Sequence, residues 1–475
     1  MITYLKIDGF KSFHHFEMEF TPLTVIAGAN ASGKSNLFDA LQLLSRLAEM
    51  DLKSAFGKQR GLASELFTRY GENGAAEEMS FVVDMLVNRT VRDNWGGEVE
   101  LKYTRLRYEL NIGRRITPKG LEELFVIKER LENLKHKDDA WVKHMLPSDV
   151  LEQWRPKVIT GKRSIPYIYT EEVNGITTFF MPQDGTTGNK RVYSAIDAKQ
   201  TVLSSMNSVD FPHVFAVREE MRQWKFLQLN PEDLREPTRQ EPNASDMITQ
   251  SGKNLAAALF RIIQDDEYAL VELSRTVNAF LPNFTEVAVR DDKANKQFII
   301  FLKGEDGREF SSRVLSEGTL RLLALCIFLY DRQHRSLLCF EEPENGIHPF
   351  RIETMARLLK DLTVDFSDTS TPLRQVIVNT HSPVLVSQLL QWKADRSVSV
   401  WFSQLVTLIT EVKNRVEPAL PKIKMRVTKI LPVIKERFSQ LTLPYSENER
   451  KLTLSAVMHY LKTADADNVI KDIQS

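Results

Sequence analysis

The sequence predicts an α/β fold organised on a parallel sheet, and three observations predict it. The stretch Gly28-Ala-Asn-Ala-Ser-Gly33-Lys34-Ser35-Asn36 lies between a short apolar run, Thr24 to Ala27, and a segment in which Leu37, Ala40, Leu41, Leu44 and Leu47 recur at helical spacing. Strand, Gly-x4-Gly-Lys-Ser, helix is the arrangement of a phosphate-binding loop. From Ser311 to Val386 the pattern runs helix, strand, helix, strand, helix, as in a parallel sheet with crossover helices. Finally, Ser336-Leu-Leu-Cys-Phe340-Glu341-Glu342-Pro343 reads as a buried strand ending in two acids, and the carboxyl ends of such strands are where these sheets place their sites.

Bulk properties bound the rest. With 475 residues the chain has room for two or three domains and a large core. Lys plus Arg and Asp plus Glu both number 63, so net charge gives no global argument for nucleic acid, and any such contact needs a local patch. Cys326 and Cys339 both sit in apolar runs and read as buried free thiols, not as a metal site or a disulfide framework. No apolar run approaches about 18 residues and no leader pattern opens the chain, so a cytoplasmic protein with no membrane contact is expected.

In order along the chain, Ile2 to Phe20 alternates like a hairpin. The phosphate loop and its helix follow, to about residue 50, and residues 51–78 are polar without a clear period. Met79 to Ile112 is strand-like, whereas Leu121 to Leu134 fits a strand or a charged helix equally. Tyr167 to Met181 is a hairpin with Asn174-Gly175 at its turn. Phe211 to Trp224 reads as a helix, Lys225 to Leu229 as a strand, and 235–251 as a linker or exposed loop. Two helices (Leu255 to Ile263, Tyr268 to Phe280) and two strands (Glu286 to Val289, Gln297 to Leu302) lead into the α/β stretch. The tail carries an alternating segment, Val398 to Ile409, and a final helix, Leu452 to Leu461. The expected organisation is a discontinuous nucleotide-binding unit (1–90 and 211–393), an inserted mainly β module (91–210) and a small C-terminal α+β element (394–475).

The residue types explain the expected chemistry. Gly28 and Gly33 let the backbone curl so that its N–H groups face a phosphate at a helix N-terminus. Asn30, Ser32 and Asn36 complete the loop and are expected to line the nucleotide. Lys34 reaches the β- and γ-phosphates, and the Ser35 hydroxyl is placed for Mg²⁺. Glu341 is assigned to the metal and Glu342 to the attacking water. His381, at the end of the buried run Val376 to Thr380, is expected to sense the γ-phosphate. Ser316 and Gly318 precede an apolar helix, where Ser316 is either an ordinary N-cap or part of an anion site.

Taken together, Gly-x4-Gly-Lys-Ser, Leu315-Ser-Glu-Gly-Thr319, Glu341-Glu-Pro343 and Thr380-His-Ser382 resemble the motifs of ABC-type P-loop ATPases, in the branch of SMC, RecF and double-strand-break-repair heads. Phe10-Lys-Ser-Phe13 before the phosphate loop is similar to the opening of that branch. Glu341-Glu-Pro-Glu-Asn-Gly-Ile-His-Pro349 resembles the acidic segment of OLD-like ATPases from bacterial anti-phage and abortive-infection systems. The resemblance covers roughly residues 1–50 and 211–390. It implies a head that uses ATP and Mg²⁺ and forms a homodimer, or a higher homo-oligomer, over two nucleotides. Ser316 and Gly318 then complete the partner's site, with Glu342 catalytic and His381 the switch.

The chain also departs from that pattern. Ala31 replaces a glycine, no clear glutamine follows the first helix, and His348 stands where transporter-type heads carry an aspartate. The heptad arms of SMC proteins are missing between Ser35 and Ser316. Asp465-Ala-Asp467 lacks the buried strand of a TOPRIM nuclease and reads as a solvated helix end. The resulting expectation is an ATPase that gates a separate effector, a nuclease or toxin subunit, in an anti-phage system. The alternatives are a RecF-like ATPase binding DNA directly, through Arg105, Arg107, Arg114, Arg115, Lys157, Lys162 and Arg163, or less readily a transport ATPase.

Overall fold

Leu23–Ala27 is a strand in which all five residues are buried, as expected for a strand covered on both faces. The computed structural model describes all residues except 71–73, 158–164, 184–188, 196–197, 241–245, 393–394, 412–421, 434–445 and 463–475. In it, Leu23–Ala27 lies inside a six-stranded sheet ordered Lys225–Leu227, Leu337–Glu341, Gln375–Thr380, Leu23–Ala27, Val398–Glu411, Lys422–Pro432. The first five strands are parallel, and the last is antiparallel to its neighbour. Alternate side chains enter two cores: Ile26, Leu337, Cys339 and Ile377 on one face, Leu23, Val25, Leu338 and Val376 on the other. The helices Leu255–Asp265, Ala269–Phe280, Glu317–Tyr330, Ile352–Asp361 and Pro383–Leu390 cover the second face. Cys326 and Cys339 are buried free thiols, and burial raises both above the usual thiol range.

A second, antiparallel sheet orders its strands Glu122–Asn133, Arg105–Ile116, Glu78–Leu86, Ile2–Asp8, Phe16–Glu19. The ambiguous segment at 121–134 is thus a strand, paired along its length with Arg105–Ile116. This sheet crosses the expected boundary at residue 90, and one apolar core joins the N-terminal hairpin and the first helix to Tyr108, Leu131, Phe179 and Leu203. The hairpin of Tyr169–Val173 and Ile176–Pro182 forms as expected, with Lys190–Ser194 beside it. Likewise, the segment expected as a C-terminal element places Val398–Glu411 directly beside the phosphate-loop strand, and its helix Glu447–Lys462 sends Val457 and Leu461 into the second core. Within the expected linker, Thr238–Arg239 pairs with Gln297–Gly304. Asp465, Ala466 and Asp467 lie outside the described residues. Among the described residues no helix is long and apolar enough to cross a membrane.

Strand register positions the site. Ala27 is opposite Thr380, and Asn379 is opposite Glu341. The residues that follow, Gly28, His381 and Glu342, therefore leave the sheet together at its carboxyl end.

Candidate nucleotide site

The loop after Ala27 can be built only with glycine at two positions. Gly28 has φ 147°, and a Cβ there would sit 2.6 Å from the Ser403 carbonyl oxygen. Gly33 has φ 93°, and a Cβ would fall 1.8 Å from Thr428 Oγ1. Ala31, in place of the family glycine, accepts a left-handed φ of 62°. The loop is clamped from outside by the C-terminal strands. Ser403 Oγ donates to Ser32 O at 2.9 Å, and Thr428 Oγ1 donates to the same oxygen at 3.4 Å. Asn36 Nδ2 donates to Ser12 Oγ at 2.7 Å, and Ser12 Oγ shares a 2.6 Å hydrogen bond with Thr428 Oγ1. Asn36 thus ties the loop to the N-terminal hairpin, although it was expected to line the nucleotide. Asn30 is exposed, and Ser32 is buried with no hydrogen-bond partner for its Oγ among the described residues.

Lys34 starts the helix Lys34–Leu47 and is 6% exposed. Its Nζ donates to Gly28 O at 2.7 Å and Ala29 O at 2.9 Å, so the ammonium is folded into its own loop. Burial lowers its pKa, opposed by the charges of Glu342, Glu344 and Glu341. Ser35 Oγ donates to Glu341 Oε1 at 3.3 Å, which joins a hydroxyl and a carboxylate from neighbouring elements. A hard divalent cation fits that oxygen pair.

Glu342 takes a left-handed φ of 49°, a strained state for a glutamate, costing on the order of 1–3 kcal/mol. The neighbouring strand end helps hold it there, with Glu342 N–H donating to Asn379 O at 2.8 Å. The side chain is shared between two partners: His381 Nδ1 lies 2.8 Å from Oε1, and Asn345 Nδ2 donates to Oε2 at 2.8 Å. The structure therefore brings Lys34, Ser35, Glu341, Glu342 and His381 to one end of the sheet.

Several further groups at this end had no role assigned from the sequence. Glu344 is 7% exposed; one oxygen takes the Thr380 hydroxyl and the other has no hydrogen-bond partner among the described residues. Burial raises its pKa. Arg60 Nη2 lies 4.0 Å from Glu341 Oε2, and the adjacent Gln59 is buried with its Oε1 unpaired. Neither residue stands in a periodic segment, and the Ser403 and Thr428 clamps come from strands far along the chain.

Ser316 caps Glu317–Tyr330, accepting from Thr319 N at 3.3 Å, and is itself exposed. Gly318 packs against its own chain: a Cβ there would meet Gly346 O at 2.8 Å. The candidate DNA contacts are engaged with acids. Arg105 is buried and paired with Asp139 at 3.0 Å, and Arg107 pairs with Asp84 at 2.6 Å. Arg114 meets Glu122, Arg115 meets Glu123, and Lys157 meets Glu152. Lys162 and Arg163 lie outside the described residues.

Comparison with known proteins adds a family. Residues 23–387 match the family described as "AAA domain, putative AbiEii toxin, Type IV TA system". The chain is similar to structural maintenance of chromosomes protein 1 of Schizosaccharomyces pombe, 21% identical over 390 residues. That match takes in 79% of this chain but only 28% of the relative. Among solved structures, an SMC head bound to the C-winged helix domain of ScpA aligns over 91% of this chain and 98% of its own, at 13% identity and TM-score 0.46. The SMC head domain from Thermotoga maritima aligns over 91% and 99%, at 14% identity and TM-score 0.36.

Proposed function

The chain belongs to the AAA-domain family that matches residues 23–387, and from that premise we propose that it is an ATPase whose nucleotide gates a separate effector. The observation that carries the reading is a convergence from neighbouring strand ends. Ser35 Oγ meets Glu341 Oε1 at 3.3 Å, and Glu342 Oε1 meets His381 Nδ1 at 2.8 Å. In this reading Lys34 exchanges the carbonyls of Gly28 and Ala29 for phosphate oxygens, with the buried Ser32 hydroxyl as a further donor. Ser35 and Glu341 hold Mg²⁺, which when bound neutralises charge on the phosphates. Glu342 accepts the proton of the attacking water, and His381 orients Glu342 through the hydrogen bond they share.

Replacing Glu342 by Gln keeps size and removes the base. Hydrolysis should fall by about 10²–10⁴-fold while ATP binding persists, and ATP should then hold the protein as a dimer in sedimentation. An undiminished rate sinks the assignment.

Ser316 and Gly318 are proposed to serve the nucleotide of a second copy. The support is the exposed N-terminus of a 14-residue helix, which presents N–H groups to an anion. Because bulk at Gly318 would strike Gly346 of the same chain, Ser316→Arg is the cleaner probe. It should leave ATP binding intact and abolish turnover. Mixing it with Lys34→Ala should restore part of the activity, through one intact composite site. Full activity of Ser316→Arg alone refutes sharing.

The effector reading draws on the family's own description, which names a toxin and a toxin–antitoxin system. The ATP-trapped Glu342→Gln form should retain a host polypeptide that Lys34→Ala releases, and equal recovery by both excludes nucleotide gating. Direct DNA binding is the weaker reading, because Arg105, Arg107, Arg114, Arg115 and Lys157 already face carboxylates.

A further inference from the structure

The turn between Ile2–Asp8 and Phe16–Glu19 gathers three metal-ligating side chains that the nucleotide site does not use. Asp8, His14 and His15 each offer one donor atom, and these atoms lie within 4.8 Å of one another. His14 Nδ1 is 3.1 Å from Asp8 Oδ1, His15 Nδ1 is 3.0 Å from Asp8 Oδ2, and the two imidazole rings are 4.1 Å apart. We propose that this turn is a binding site for one borderline transition-metal ion of the Zn²⁺ class, ligated by Asp8, His14 and His15.

Five features carry the assignment. The donor set is two imidazoles and one carboxylate, which suits Zn²⁺ and disfavours Mg²⁺. Bonds of roughly 2.0–2.2 Å in a tetrahedron set ligands roughly 3.3 Å apart, so the 3.0 Å spacing of His15 Nδ1 and Asp8 Oδ2 needs to open by only a few tenths of an ångström, and the whole donor set already lies within 4.8 Å. The carboxylate is already oriented: Asp8 Oδ1 accepts from Gly9 N and His15 N, both at 3.0 Å, which leaves Oδ2 as the single outward ligand. The turn is also held in costly backbone states, Lys11 at φ 47° and His15 at φ 48°, as where surrounding contacts fix a site. His14 and His15 open on a cavity of about 250 Å³ shared with Lys429 and Glu449, which gives the ion a path and leaves a coordination position for water.

The site is mechanically joined to the phosphate loop. Within the turn, Lys11 Nζ pairs with Asp39 of the loop's helix at 2.6 Å, and Ser12 bonds both Asn36 and Thr428. An ion bridging residues 8, 14 and 15 therefore stiffens the segment that backs the nucleotide loop.

The test is calorimetric titration of the full chain with Zn²⁺ in excess Mg²⁺, so that the hard cation fills the Ser35–Glu341 position. One Zn²⁺ per chain is expected. His14→Ala, His15→Ala and Asp8→Asn should each weaken it by about tenfold or more, since loss of a direct ligand costs at least as much as loss of an outer-shell partner. His15 is exposed, so its loss leaves the fold intact even if Asp8→Asn loosens the turn. Co²⁺ should give a visible ligand-field band in the wild-type protein that His15→Ala abolishes. No saturable uptake, or uptake that survives His15→Ala unchanged, overturns the proposal and leaves two ordinary histidine–aspartate hydrogen bonds.

Discussion

The carboxyl end of the parallel sheet and the antiparallel sheet beside it treat buried polar atoms in opposite ways. In the antiparallel region the charges are closed on one another. Asp139 accepts from Arg105 Nε and Nη2 at 3.0 Å and pairs with Arg155 at 2.9 Å, and Glu129 accepts from Val202 N, Leu203 N and the Tyr108 hydroxyl. At the carboxyl end, Ser32 Oγ, Gln59 Oε1, Glu344 Oε2 and Asn379 Oδ1 are buried without partners among the described residues, and Ala31 and Glu342 sit at left-handed φ. Buried polar atoms are almost always satisfied, so a cluster of open ones is a departure from the way the rest of a core is built. Closed networks act as struts, and the open cluster coincides with the proposed nucleotide site.

That contrast can be broken by three measurements. The largest effect belongs to the struts. Asp139→Ala leaves Arg105 and Arg155 buried without their acid and should destabilise the fold by about 3–5 kcal/mol in denaturant titration. The ATP affinity of the folded fraction should not change, and an affinity that falls with stability would merge the two regions. Lys34→Ala should do the reverse. It removes a charge-assisted contact of about 1.5–3 kcal/mol, so ATP affinity should drop about tenfold or more in calorimetry. Without nucleotide the melting temperature should hold or rise, because a desolvated ammonium is gone. Unchanged affinity contradicts the loop assignment.

The smallest effect is a pH dependence. Burial raises the pKa of Glu344, so its neutral form stabilises the fold at acid pH. That contribution is lost as pH rises through the raised value. Glu344→Gln cannot ionise, so the melting temperature of the variant minus that of the wild type should grow from pH 5 to pH 8. A gap that is flat or narrows with pH means the acid is held charged.

The sequence resolved best where the relevant residues are neighbours in the chain. The phosphate loop was legible because Gly28 to Asn36 is one stretch, and the strand-end acids because Glu341 and Glu342 close an apolar run. The resemblance to SMC-branch ATPase heads is borne out by the family match and by the sequence relative. The segment 121–134 resisted because of a register shift between Val126 and Lys128. It places Val126, Glu129 and Leu131 on the buried side, spaced first as in a helix and then as in a strand. Arg60 was missed because a lone charge reveals no partner until the chain is folded, and Glu344, although it stands in the acidic segment 341–349, because its burial and its bond to Thr380 exist only in the fold. The division at 90 and 394 followed the types of element expected along the chain, whereas the hydrogen bonds join Glu78–Leu86 to Arg105–Ile116 and Leu23–Ala27 to Val398–Glu411.

The clamp on the phosphate loop has a consequence for synthesis. Ser32 is held by Ser403 and Thr428, which lie 371 and 396 residues further along the chain. At about 5–20 residues per second a ribosome takes roughly 20–80 s to cover that distance. For most of that time the apolar strand Leu23–Ala27 lacks both of its native neighbours, Gln375–Thr380 and Val398–Glu411, and its backbone groups stand unpaired. The phosphate loop therefore reaches its clamped form only after strands translated hundreds of residues later have joined its sheet.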